Sequence, residues 1–450
     1  MSRSGAQPIT SEVQPNDLSA YWMPFTANRA FKKTPRIVTR AKGMHYYTAD
    51  GRAVMDTIAG LWCCNAGHNR DSIVAAIQAQ AETLDYAAPF QFAHPLGFQL
   101  ASRIADMAPG DLDHVFFTNS GSEAVDTALK MALGYWHAKG ESNRFRLIGR
   151  ERGYHGIGFG GISVGGISPN RKAFATALIP GVDHLPHHYD RAQQAFTKGE
   201  PEYGAHFADA LEGIVALHDA STIAAVIIEP MAGSTGVLPP PKGYLQRLRQ
   251  ICDKYGILLI FDEVITGFGR LGAAFAAERY GVIPDMITFA KGVTSGTAPM
   301  GGVIARKHIH DAFMKGPEHM VEFFHGYTYS AHPVACAAGI AALDLYRDEK
   351  LFERTKKLEP KWADAIMGLK GLPNVLDIRT LGLTAAVDLA SIPDAVGKRG
   401  YDAMHLAFEK FNFILRNTGD TLALTPPLII SEDEIGQTVE NMAKVIRAVA

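Results

Sequence analysis

The chain has 450 residues, 47% of them hydrophobic and 20% charged, with a net charge of −2. These are globular proportions, and a near-neutral chain lacks the basic surplus that a nucleic-acid partner requires. The length exceeds what one simple core accommodates and predicts a large domain with a smaller one.

The N-terminus, MSRSGAQPITSEVQPND, is polar and offers no apolar core for a signal peptide, so residues 1 to about 18 read as a mobile arm. Residues 35–60 read as short strands with a turn at Ala49-Asp50-Gly51. From about 71 to 333, apolar runs alternate with helical patterns. Strands are expected at His114–Thr118, Arg146–Gly149, Ala224–Glu229, Ile257–Asp262 and Met286–Ala290, with helices such as Glu123–Lys139 and Tyr244–Tyr255 between them. Several of these strands are continuous apolar runs, the mark of strands buried on both faces, and the alternation predicts an α/β domain with a mostly parallel sheet. Residues 334–450 change character: a long helical stretch over 334–370, short strands near 375–389 and 412–425, and a last helix at 432–449. This predicts a smaller α+β domain, which the strands of residues 1–70 would join. No run of about 18 apolar residues occurs, so no membrane helix is expected. The four cysteines, Cys63, Cys64, Cys252 and Cys336, show no ligand or disulfide spacing, and a reducing cytoplasmic compartment is the simplest reading.

Three segments point to chemistry. ILLIFDEV (257–264) ends a buried strand on Asp262, and ligands of open α/β sheets bind beyond the carboxyl ends of strands. The same carboxylate can equally cap a helix. The next strand, MITFA, runs into Lys291; the 28 residues between the two suit one crossover, which would bring both side chains to one rim of the sheet. A lysine there is partly desolvated, its pKa lowered and its amine made nucleophilic, although an isolated lysine in a loop is more often solvated. Upstream, HVFFTNSGSEAVDTALKMA (114–132) carries a strand into Ser120-Gly121-Ser122 at a helix start. Free N–H groups and the helix dipole there make a seat for an anion, while Ser120 with Glu123 also fits a capping box. Two decoys stand beside these. Gly156, Gly158 and Gly161 fit G-x-G-x-x-G, but the following GISVGGISPNR disfavours the helix a dinucleotide site needs and reads as a mobile loop. Asp183-His184-Leu185-Pro186-His187-His188 is read as surface histidines, not as a metal site.

The chain resembles class III (ω-amino acid) aminotransferases of the fold-type I pyridoxal-5′-phosphate (PLP) superfamily, most of all the β-alanine/ω-amino acid:pyruvate transaminases. The likeness spans WMPFTANR (22–29), GLWCCNAGH (60–68), FFTNSGSEA (116–124), RGYHG (152–156), IIEPMAGSTGVLPPPKGYL (227–245), LLIFDEVITGFGR (258–270), AKGVTSG (290–296), PMGGVIA (299–305) and HGYTYSAHPVACAAG (325–339). The resemblance implies Lys291 as the Schiff-base lysine and Asp262 as the partner of the pyridine nitrogen. It implies Ser120, Gly121 and Ser122 as the phosphate cradle, with Tyr154 and Val264 on the two faces of the ring. The same motifs assign His155 and Glu229 to the cofactor. Thr328, in a strand-like YTYS segment, would reach the phosphate of a neighbouring subunit, so a homodimer is the minimum unit, and a dimer of dimers is common in the subgroup. Substrate contacts fall to Trp62, Phe25, Tyr154 and Arg416, whose guanidinium would hold a carboxylate. Ala423 stands where the subgroup carries a glutamine, which widens the pocket and favours larger amines over β-alanine. The implied activity is ping-pong transfer of an amino group from an ω-amino acid or primary amine to pyruvate, giving alanine and an aldehyde or oxo acid. The alternatives are a 2-oxoglutarate-dependent 4-aminobutyrate-type aminotransferase and a dialkylglycine decarboxylase-like enzyme. Small-molecule substrates are expected, with no metal, nucleic acid or membrane.

Overall fold

The computed structural model describes residues 18–450, so the arm expected at the N-terminus lies outside the described residues apart from its last position. Fifteen strands form three sheets among these residues. They are β1 (Val38–Lys42), β2 (His45–Thr48), β3 (Ala53–Asp56), β4 (Leu112–Thr118), β5 (Arg146–Arg150), β6 (Val182–Leu185), β7 (Ile223–Ile228), β8 (Leu258–Asp262), β9 (Met286–Ala290), β10 (Gly301–Arg306), β11 (Val375–Leu381), β12 (Thr384–Leu389), β13 (Phe413–Ile414), β14 (Arg416–Thr418) and β15 (Thr421–Leu424).

The central sheet runs β4-β10-β9-β8-β7-β5-β6. From β9 to β6 every pair is parallel, while β10 is antiparallel to both β4 and β9. The fold is thus the mostly parallel α/β arrangement expected. Every residue of β7, β8 and β9 is buried, as their unbroken apolar runs predict. Strand β10 escapes the sequence reading because it begins Gly301-Gly302. The glycines have a packing reason: a Cβ on Gly302 would lie 2.5 Å from the Phe289 ring.

Helix Gly121–Ala138 buries Ala128, Leu129, Ala132 and Trp136 against this sheet, and the Trp136 indole donates to the Ala224 carbonyl at 2.9 Å. Burying Leu129 is worth about 1.5–3 kcal/mol, and each alanine methyl about 0.8 kcal/mol. The Ser120 hydroxyl caps the helix by accepting from the Glu123 N–H at 3.2 Å. The reciprocal half of the expected capping box is displaced by one residue, because the Glu123 carboxylate takes the Asn119 N–H instead, at 2.7 Å.

Two smaller sheets, β1-β2-β3-β13 and β11-β12-β15-β14, complete the fold; β13 lies parallel to β3, tying the chain's two ends together. The stretch 334–370 is two helices, Pro333–Asp348 and Leu351–Met367, broken where Lys350 adopts a left-handed conformation. Residues 327–330 form a turn and not the strand-like segment expected there, with the Tyr327 N–H donating to the Ser330 hydroxyl.

The glycine-rich stretch after Tyr154 also departs from expectation. It contains helices Phe159–Val164 and Ser168–Lys172, the first largely buried. The Asp126 carboxylate accepts the Gly161 N–H at 2.8 Å, and a Cβ on Gly158 or Gly160 would lie 2.2 or 2.4 Å from its oxygens. The glycines therefore let the backbone close over a carboxylate on a neighbouring helix. In the 183–188 segment, Asp183 pairs with Arg146, His184 hydrogen-bonds to the Gly165 carbonyl and buried His188 to the Pro239 carbonyl. No helix of the described residues is long and apolar enough to cross a membrane.

Candidate active site

Strands β8 and β9 are parallel neighbours, with Asp262 opposite Thr288. Their carboxyl ends therefore emerge on one rim, and Lys291 follows β9 directly. The Asp262 carboxylate is buried, with a hydrogen-bond partner on each oxygen. One oxygen accepts from the Val264 N–H at 3.1 Å and the Thr288 hydroxyl at 3.2 Å; the other meets Nδ1 of His155 at 2.8 Å. With Nδ1 facing that carboxylate, the His155 ring leaves Nε2 buried and without a protein partner. Lys291 is half-buried and opens a 3₁₀ turn with a left-handed φ of 50°. Desolvation lowers its pKa from the ordinary 10.5; Cys63, Asp262 and Glu229 oppose the shift, and Arg416 reinforces it. These groups share one electrostatic neighbourhood with the amine.

The turn after β5 carries Tyr154 and His155 into that neighbourhood. Glu229, at the end of β7, clamps it: one carboxylate oxygen accepts the Tyr154 N–H at 2.9 Å, the other the Gly233 N–H at 3.0 Å. Burial raises the pKa of Glu229. Arg150 donates to the Glu229 carbonyl at 2.9 Å and fixes the strand end from behind. Arg416 opens β14. Burial lowers its pKa, the Tyr154 phenol acts against that shift, and among the described residues it has no ion-pair partner. A half-buried guanidinium without a carboxylate has N–H donors free for an anion.

Beside these groups lies the N-terminus of helix Gly121–Ala138, where geometry leaves the first N–H groups without intrahelical partners. Gly121 packs against Val264, whose methyls a Cβ would meet at 2.8 Å. The Ser122 hydroxyl accepts the Ile157 N–H at 3.3 Å. The end of β8, the turn after β5 and the helix start thus converge on one place, which offers an amine, a carboxylate, an orphaned imidazole nitrogen and an anion seat.

Residues 26–446 match the family model of class-III aminotransferases. The chain belongs to this family. It is 57% identical over 431 residues to an omega-aminotransferase of Caulobacter vibrioides, covering 96% of this chain and 98% of the relative. It is 49% identical over 448 residues to a beta-alanine–pyruvate aminotransferase of Pseudomonas aeruginosa, covering 99% and 98%. Among solved structures it resembles an (S)-enantioselective omega-transaminase from Thermomicrobium roseum, with a TM-score of 0.90, 34% identity and coverage of 96% and 97%. An omega-transaminase from Pseudomonas jessenii in complex with PMP gives a TM-score of 0.90 at 32% identity, covering 98% of each chain. This class-III aminotransferase is a PLP-dependent transferase acting on small molecules, and an amine, a carboxylate and a helix start at one rim suit the aldehyde, pyridine nitrogen and phosphate of PLP.

The remaining expected residues sit apart from that cluster or within the core. Phe25 is 78% exposed, and Thr328 is exposed, its carbonyl accepting from the Tyr86 hydroxyl at 3.0 Å. Trp62 is buried, and its indole N–H has no partner. Three residues near the site were not singled out by sequence. Cys63 is an electrostatic neighbour of Lys291, Arg150 braces Glu229, and the Tyr346 hydroxyl holds the Gly292 carbonyl at 2.5 Å. Cys63 falls within the GLWCCNAGH segment without being assigned a role there, and all three act through contacts distant in sequence.

Proposed function

We propose that this class-III aminotransferase moves an amino group from an ω-amino acid or primary amine to pyruvate in a ping-pong cycle, with one pocket serving both substrates. When bound, PLP supplies the electron sink that lets the donor's amine-bearing carbon lose a proton. Lys291 Nζ would take that proton, and burial, which lowers its pKa, makes the neutral amine easier to reach. Asp262, steadied by His155, Thr288 and the Val264 N–H, would pair with the pyridine nitrogen. Gly121 and Ser122, with the Ser120 cap, would hold the phosphate at the helix start, and Tyr154 and Val264 would flank the ring. Glu229 would keep the Tyr154 turn in register.

The observation that carries the acceptor assignment is the unpaired Arg416 guanidinium beside Tyr154. Arg416 stands opposite Ala423 in the β14–β15 ladder, so their side chains share a face. A methyl group gives the guanidinium no hydrogen bond, leaving it free to grip the carboxylate of pyruvate and turn aside for an uncharged amine. The names of relatives acting on pyruvate support the same acceptor. Initial rates with a donor panel should give parallel double-reciprocal lines against pyruvate, and little turnover with 2-oxoglutarate; intersecting lines would refute the scheme. Arg416→Ala should raise KM for pyruvate about 10- to 100-fold, the worth of a charged hydrogen-bonded contact, while an arylalkylamine donor changes far less.

We further read the chain as a homodimer. Phe90, Phe92, Phe324 and Tyr329 are at least 55% exposed, apolar side chains that a partner would cover, and exposed Thr328 adjoins Tyr329. A partner chain covering them would bring Thr328 to the other chain's phosphate seat. Light scattering should return at least twice the 48.7 kDa chain mass. Residues 71–333 would form the cofactor-binding domain, with 1–70 and 334–450 building the smaller one and β3 against β13 as their seam. We assign the protein to the cytoplasm on its cysteine usage.

A further inference from the structure

A second cavity, of about 900 Å³, opens between the β5–β6 edge of the central sheet and the β11-β12-β15-β14 sheet. That volume is in the range of small-molecule sites. Its carboxylates are already engaged: Asp388 takes two hydrogen bonds from the Arg379 guanidinium, Asp190 accepts the Ala192 N–H at 2.9 Å, and Glu151 accepts the His187 N–H at 3.4 Å. Of its cations, Arg379 is held by these contacts, but the exposed Arg152 and Arg191 are not. Arg152 and Arg191 both line the cavity, and neither has a hydrogen-bonded acceptor or ion-pair partner for its guanidinium among the described residues. Arg152 stacks at 5.9 Å over the Tyr189 ring, and Ile167, Pro169 and Phe207 add an apolar wall.

The backbone at Arg152 is also unusual. Its φ is 62°, a left-handed conformation uncommon outside glycine. The turn is held there from both sides: the Arg152 N–H donates to the Gly166 carbonyl at 3.1 Å, and the Thr235 hydroxyl donates to the Arg152 carbonyl at 3.0 Å. The far wall connects to the pocket already described. Tyr154 lies two residues beyond Arg152. Thr418, two residues beyond Arg416, donates to the Ser234 carbonyl at 2.9 Å, beside Thr235.

From this juxtaposition we infer that the cleft binds a small anion, a phosphate or carboxylate group carried on an apolar or aromatic body, between Arg152 and Arg191 and against Tyr189. Occupancy would reach the substrate pocket through the Arg152–Tyr154 turn and the Thr418–Arg416 strand. Binding itself does not depend on the assigned transamination, so it is measured first.

Titration calorimetry of the PLP-loaded enzyme with phenyl phosphate, benzoate and inorganic phosphate separates the two anion chemistries and the contribution of the body. One site per chain is expected for phenyl phosphate or benzoate, at least 10-fold tighter than for inorganic phosphate. Arg152→Ala and Arg191→Ala should each weaken it about 10- to 100-fold. Arg416→Ala should leave it intact, whereas loss in that variant would place the anion in the substrate pocket and overturn the proposal. Absence of saturable binding, or binding indifferent to both cleft arginines, would overturn it as well. A shift in KM for pyruvate at saturating phenyl phosphate, lost in Arg152→Ala, is the expected functional readout.

Discussion

Lys291→Ala should reduce turnover at least about 10⁴-fold and abolish the cofactor that borohydride fixes to the wild-type chain. The proposed role gives one amine two tasks, covalent attachment of the cofactor and proton transfer, and proton transfer alone contributes about 10²- to 10⁴-fold. A fold defect would not mimic the result. Desolvation lowers the pKa of Lys291 in the folded state, so its charge opposes folding of the cofactor-free chain at neutral pH and removing it is not destabilising on that account. The sign can be tested. The folded chain holds fewer protons at this site than the unfolded chain between the lowered pKa and 10.5, so wild-type stability should rise with pH across that window. Stability of cofactor-free Lys291→Ala, followed by denaturant unfolding, should lack that increment. A variant with turnover within tenfold of wild type would remove Lys291 from the chemistry.

The pairing of this lysine with Asp262 is readable from sequence because it rests on strand order alone. Two buried apolar runs separated by one crossover leave adjacent parallel strands little choice but to end on the same rim. The helix start at Ser120 is equally local. What the sequence hides depends on contacts between distant segments. Gly301 and Gly302 dilute the strand signal of β10, and their reason is the Phe289 ring and the Ser120 carbonyl, which no window around residue 301 contains. The helix at Phe159–Val164 forms in a glycine run because Asp126, on another helix, receives its backbone. Lys350 ends one helix and precedes the next with no proline or glycine to mark the break. Arg150, Cys63 and Tyr346 likewise enter the site's surroundings only once the chain has folded.

Asp262→Asn separates charge from scaffold. Asparagine keeps the shape, and its carbonyl oxygen can still accept from the Val264 N–H and the Thr288 hydroxyl, the two bonds made by one carboxylate oxygen. The other oxygen, which meets His155 at 2.8 Å, is replaced by an amide that donates. The negative charge that would hold a proton on the pyridine nitrogen is gone. If the charge is what matters, kcat should fall about 10²- to 10³-fold or more, the range seen when one preorganised electrostatic contact to a reaction centre is removed. KM should move little, because the lost interaction strengthens only as the donor carbon gives up its proton. His155→Ala provides the contrast. It removes a positioning contact and leaves the carboxylate charged, so its loss in kcat should be smaller, about 10- to 100-fold, and conservative replacement by glutamine should recover part of it. Were the ring merely filling space, glutamine would give no recovery. A kcat for Asp262→Asn within tenfold of wild type, or one no worse than that of His155→Ala, would mean that the carboxylate supports the strand end and does not tune the cofactor.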